Sequence, residues 1–173
     1  MALPTESPNP NSEGAPSADA TRPPVGFLTK AFASGLFSGY SPIASGTVGS
    51  AVGLAIYWIP GVENPYVLIP LSLVVLLLGI KASTVMEKSY GHDPSEVTID
   101  EVVGMWISVL LLPKRIVIAV IAFLIFRILD IVKPYPARRF DSLQGGAGIM
   151  LDDVVSAIYT NLFMQLIVAL NIV

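Results

Sequence analysis

YVLIPLSLVVLLLGIKASTVM, residues 66–86, is the stretch that decides the class of this fold. Its only charge is Lys81, and as a helix it is long enough to cross the ~30 Å hydrocarbon core of a bilayer. Pro70 interrupts the backbone ladder, but neighbouring helices can accommodate it. Four further apolar segments flank this span: 43–59, 99–112, 116–126 and 154–173. The first is apolar mainly in its second half. Segment 99–112 reaches only about 21 Å as a helix, less than the ~30 Å core. It is therefore extended by residues 96–98 or sits in a locally thinned or protein-lined region. Pro113-Lys114-Arg115 separates it from the wholly apolar run that follows. Segment 25–37 (VGFLTKAFASGLF) has the length of a short helix on or near the membrane surface. No strand alternation or internal repeat is evident. The expectation is an all-α, polytopic membrane helix bundle of four to five membrane helices.

Composition agrees. The chain has 173 residues, 53% hydrophobic and 13% charged, with a mean hydropathy of +0.70. A soluble domain carries about 25% charged residues. The net charge of −3 and pI near 5.0 leave no basic footprint for nucleic acid. Without cysteine there is no disulfide framework, thiolate zinc site or cysteine nucleophile. Residues 1–24 are rich in Pro, Ser, Asn and Ala and lack the apolar centre of a signal peptide. They read as a disordered tail, which leaves 25–173 as a single membrane-embedded domain.

Lys81 and Lys88 lie in one loop region, and Lys133, Arg138 and Arg139 in another, whereas residues 60–65 hold no Lys or Arg. The positive-inside rule places the basic regions in the cytoplasm, with Lys114 and Arg115 as the dissenting pair. That topology brings Asp100, Glu101, Asp130, Asp152 and Asp153 to one cytoplasmic face, with the Ser/Gly/Thr run before residue 51 on the same side. Carboxylates at a membrane boundary are costly to desolvate and carry a functional reading by default. They are oxygen donors suited to Mg²⁺, which takes a few carboxylates and keeps water or phosphate oxygens. Helix N-capping explains one acid at each helix start, at Asp100 and Asp152, but not a doubled acid at both. Arg127, Asp130 and Lys133 recur every three residues. They suit a local ion pair at a helix end, or a phosphate held by Arg127 or Lys133 beside a metal held by Asp130.

SGYSPIASGTVGS, 38–50, combines hydroxyls and glycines before a helix. It suits a small-residue packing surface or a phosphate cradle, and it has no Walker lysine. QGGAG, 144–148, reads as a tight turn or a substrate-approach loop. His92 is the only histidine, which excludes two-histidine phosphatase chemistry and favours a surface or structural role.

Together, SGYSPIASGTVGS (38–50), DEVVGMWI (100–107), FRILDIVKPYPARRF (126–140) and GGAGIMLDD (145–153) resemble bacterial phosphatidylglycerophosphatase A. The resemblance covers nearly everything from residue 34 to 156. It implies an inner-membrane enzyme that removes the terminal phosphate of phosphatidylglycerophosphate with Mg²⁺. By position it points to Asp100, Glu101, Asp130, Asp152 and Asp153 as acidic, metal-holding residues, and draws attention to Arg127, Lys133, Ser41, Thr47 and Ser50 for phosphate. Two positions depart from the family pattern. Ser45 stands where Pro is usual, and Ser156-Ala157 where Ala-Gly is frequent.

The implied scheme is metal-assisted attack of water, with Asp130, Asp153 and Arg127 as the catalytic set. An aspartyl-phosphate intermediate stays open. The competing reading is a small ion-coupled transporter, which favours mid-span acids and related halves. Asp141 is expected in a loop near the site.

Overall fold

The computed structural model describes residues 23–172. The expected disordered tail, 1–24, thus lies outside the described residues except for Pro23 and Pro24. The described chain forms α1 (Phe27–Ala33), α2 (Ser45–Tyr57), α3 (Pro65–Tyr90), α4 (Ile99–Val109), α5 (Ile116–Val132), α6 (Ala137–Asp141) and α7 (Gly146–Ala169), with a 3-10 turn at Ser38–Tyr40. Among the described residues there is no strand.

The short segment expected at 99–112 becomes α4, and it is the axis of the bundle. Nine of its eleven residues are buried, wrapped by α2, α3, α5 and α7. A helix so short would leave its terminal carbonyls unsatisfied in an apolar surrounding. Asn161 of α7 supplies the donors: its Nδ2 lies 2.8 Å from the Leu110 carbonyl and 3.2 Å from that of Ser108. On α2, the Gly53 carbonyl accepts from Trp106 Nε1 at 2.8 Å, so this buried indole is a packing residue with its one polar atom satisfied.

Two helices, Pro65–Tyr90 and Gly146–Ala169, are long and apolar enough to cross a bilayer. Asn64 caps α3 by accepting from the Tyr66 N–H at 2.9 Å, and Pro65 occupies its first turn. Exposed Leu73, Leu77, Leu124, Ile128, Leu162 and Leu166 place an apolar surface around the outside, where a soluble protein would carry charge.

α7 begins eight residues before the expected start at 154. Glycine explains the difference. A Cβ at Gly146 would lie 2.1 Å from the Ile80 carbonyl oxygen, so only glycine lets this turn rest on α3, and its N–H donates to Thr84 Oγ1 at 2.9 Å. The expected turn at 144–148 is consequently helical from Gly146 onward, and Asp152 and Asp153 sit in the second turn of α7 rather than at its cap.

The far end of the bundle is tied by Lys114. Its Nζ lies 3.0 Å from Glu63 Oε2 and 3.3 Å from the Trp58 carbonyl. It also stands 5.6 Å and 5.3 Å from the Tyr57 and Trp58 ring centroids. Glu63's own backbone N–H, with Lys114 and the Gly61 N–H, holds its carboxyl below the usual carboxylate range.

Candidate active site

α2 starts, α4 starts, α5 ends and α7 starts at the end of the bundle opposite Lys114. Each contributes polar side chains. Glu101 lies in the first turn of α4, where acids complement the helix dipole. Ser50, fully buried on α2, places Oγ 2.9 Å from Glu101 Oε2 and 3.0 Å from the Gly46 carbonyl. Arg127 Nη1 ion-pairs with the same Glu101 oxygen and lies 3.1 Å from Asp130 Oδ2, one turn on along α5. Lys133, the left-handed residue that ends α5 at φ 48°, reaches Asp152 Oδ2 at 2.7 Å. Asp152 Oδ1 in turn accepts from the Asp153 N–H at 3.0 Å.

Glu101, Asp130 and Asp153 each offer a carboxylate oxygen, and the three atoms lie within 4.8 Å of one another. Opposite ligands of a Mg²⁺ ion stand about 4.2 Å apart, so the trio needs little adjustment to enclose a cation of that size. Asp153 is only 2% exposed, and its Oδ2 has no hydrogen-bond partner. An unpaired buried carboxylate oxygen is expensive, and a bound cation satisfies it. Asp100 Oδ1 is similarly buried without a partner. The cavity these residues enclose measures about 280 Å³, and its lining sets six carboxyl side chains against two cationic ones, Arg127 and Lys133. Such an acidic pocket needs further positive charge before it can admit a phosphate. The donor set therefore fits a divalent metal, and its chemistry is that of an oxygen-only site.

The matching family model is that of phosphatidylglycerophosphatase A, over residues 31–168. The chain belongs to the phosphatidylglycerophosphatase A family. Phosphatidylglycerophosphatase A of Escherichia coli is 42% identical over 130 residues, covering 72% of this chain and 74% of the relative. The phosphatidylglycerophosphatase A of Haemophilus influenzae is 33% identical over 141 residues, covering 79% and 83%. A Bacteroides thetaiotaomicron protein, whose name makes it a candidate phosphatidylinositol-3-phosphatase, is 38% identical over 144 residues, covering 78% and 89%. No solved structure matches. Family membership makes the chain a lipid phosphatase and leaves the transporter reading without support.

The structure gathers Asp100, Glu101, Arg127, Asp130, Lys133, Asp152 and Asp153 around one cavity, and joins Ser50 to it through Glu101. It does not bring Ser41 or Thr47 into the lining. Ser41 Oγ turns to the Ile43 carbonyl at 2.9 Å, and Thr47 is half-buried outside the cavity. Asp93 and Ser95 line the cavity without having been singled out, and Ser45 and Gly46 of the 38–50 run line it too. For Gly46 the reason is space: a Cβ there would lie 2.2 Å from Glu101 Oε1 and 2.9 Å from Arg127 Nη2. His92 Nδ1 lies 2.7 Å from Glu87 Oε1 on the exposed surface, outside the cavity. Asp141 ends α6 rather than lying in a loop.

Proposed function

We propose that this chain hydrolyses the terminal phosphomonoester of phosphatidylglycerophosphate, giving phosphatidylglycerol and inorganic phosphate, with Mg²⁺ at the acidic cavity. The observation that carries this reading is the convergence of Glu101, Asp130 and Asp153 within 4.8 Å, beside Arg127, in a member of this family. Glu101, Asp130 and Asp153 would hold the metal, with Asp100 and Asp152 as further carboxylate donors lining the same cavity. Bound there, Mg²⁺ supplies Lewis-acid stabilisation of charge on the phosphoryl oxygens.

The protein's own groups do the rest. Arg127 binds phosphoryl oxygens with its planar fork, and Lys133 adds a point charge from the rim. Asp153 or Asp130 accepts the proton of the attacking water, whose oxygen forms the new P–O bond as the bond to the headgroup glycerol oxygen breaks, and the accepted proton is returned to that leaving oxygen to give the alcohol. Ser50, by donating to Glu101, fixes the carboxylate that Arg127 also grips. Glu101, Asp152 and Asp153 are buried, so charge on that wall of the cavity is screened less than it would be in water.

The chain is read as a multi-pass protein of the bacterial inner membrane. α3 and α7 cross fully, and α2, α4 and α5 complete a bundle of four to five membrane helices. The acidic end faces the cytoplasm. Lys133, Arg138 and Arg139 lie beside that end and support this orientation against the dissenting Lys114 and Arg115 at the other.

The test is phosphate release by purified protein from phosphatidylglycerophosphate and from phosphatidylinositol-3-phosphate, each with Mg²⁺ and with EDTA. Expected is Mg²⁺-dependent release with the higher kcat/KM on phosphatidylglycerophosphate. No release from that lipid with Mg²⁺, or undiminished release in EDTA, overturns the assignment.

A further inference from the structure

Ala51, Leu54, Ala55 and Trp58 recur at the i, i+3, i+4, i+7 spacing of one helix face on α2. Val120 and Phe123 stand three apart on α5. These six side chains line a groove of about 390 Å³ that presents almost no polar surface. The groove exists because α2 and α5 both pack on α4 while touching each other only lightly, and because Ala51 and Ala55 are too small to fill the space between them.

Both walls lead to the acidic cavity. Gly46, a lining residue of that cavity, lies five residues before Ala51, and Arg127, another, lies four residues after Phe123. At 1.5 Å per residue the groove opens about 6 Å below Arg127, and Trp58 lies about 18 Å below Gly46. The two helices run antiparallel, so a single ligand laid along them has its polar end at Arg127 and its apolar end at Trp58. An apolar pocket with a few polar groups converging at one end is the usual form of an amphiphile site.

We propose that this groove seats an acyl chain of the diacyl phospholipid whose phosphomonoester is cleaved at the acidic cavity. The inference rests on the phosphatase reading above. Annular lipid can wet any apolar helix surface. What favours this groove is its volume of about 390 Å³ together with two walls that run on to Gly46 and Arg127 of the phosphate cavity. Chain binding remote from the reacting phosphorus then contributes to holding that phosphorus in place. A full-length lipid is thereby favoured over its bare headgroup.

The chain has no cysteine, so Ala55→Cys introduces a unique thiol that is modified after folding. The purified protein is blocked with either a methyl or an octyl thiosulfonate, which leaves no ambiguity from misfolding. The readout is the ratio of kcat/KM for dioleoyl phosphatidylglycerophosphate to that for its deacylated headgroup. Blocking with methyl should preserve the ratio. Octyl should lower it at least about tenfold, the equivalent of losing two or so buried methylenes. The same octyl group on Leu124→Cys, an exposed α5 position outside the groove, should leave the ratio unchanged. An unchanged ratio with octyl at position 55, or an equal fall at position 124, overturns the groove. If unmodified protein releases phosphate from neither substrate, the phosphatase reading itself fails and the groove loses its occupant with it.

Discussion

Gly46 separates site geometry from stability more cleanly than any other residue. It lies in the first turn of α2, where alanine is intrinsically the better helix former by about 1 kcal/mol. The added methyl would meet the Glu101 carboxylate and the Arg127 guanidinium, the far ends of two flexible side chains. Gly46→Ala should therefore leave thermal stability equal or slightly raised while lowering kcat/KM at least about tenfold, through displaced carboxylate and guanidinium. Phosphate-release kinetics beside a melting curve check this, and parallel losses in both would contradict it. The acids themselves were legible in the sequence because a charge in so apolar a chain stands out. Gly46 was not, because its role depends on a side chain from another helix reaching it. The hydroxyls divided for the same reason. Ser50 faces α4, while Ser41 is turned away by the local geometry after the 3-10 turn.

Elements show where sequence reading stopped. The start of α7 was misplaced because GGAG reads locally as a turn, and only contact with the Ile80 carbonyl reveals why glycine belongs in that helix. Gly146→Ala sets a methyl against backbone, which cannot swing aside as a side chain can. It should cost about 1–3 kcal/mol by overpacking, read as a lower melting temperature in detergent, and a neutral result would contradict the packing account. The Lys114 clamp makes a pH prediction. Glu63's folded pKa is depressed, so its contribution is fully present above the unfolded value, about 4.3, and is lost as pH falls through the lower folded value. The melting-temperature gap between wild type and Glu63→Gln should hold steady from neutrality to about pH 5, then shrink below about pH 4. A gap that widens on acidification would contradict this sign.

At the scale of the whole molecule, periodicity and hydropathy made the all-helical class legible and brought the acids to one end. They left α4 between a protein-lined position and a locally thinned membrane, since a short apolar run has the same composition in lipid as in protein, and the packing of nine of its eleven residues decides for the first. They also gave no sign that Lys114 would be held by Glu63, Tyr57 and Trp58. The proposed cytoplasmic orientation of the acidic end predicts that single cysteines at Gln144 and Asn64 label from opposite sides of sealed vesicles; labelling from one side would break it. The central claim is that the carboxylates of α4, α5 and α7 form one phosphate-cleaving centre. It is tested most directly by Mg²⁺-supported phosphate release from phosphatidylglycerophosphate by wild type, Asp130→Asn and Asp153→Asn at matched folding. Both variants should lose at least about a hundredfold in kcat/KM, whereas either one retaining activity within about twofold of wild type would contradict the account.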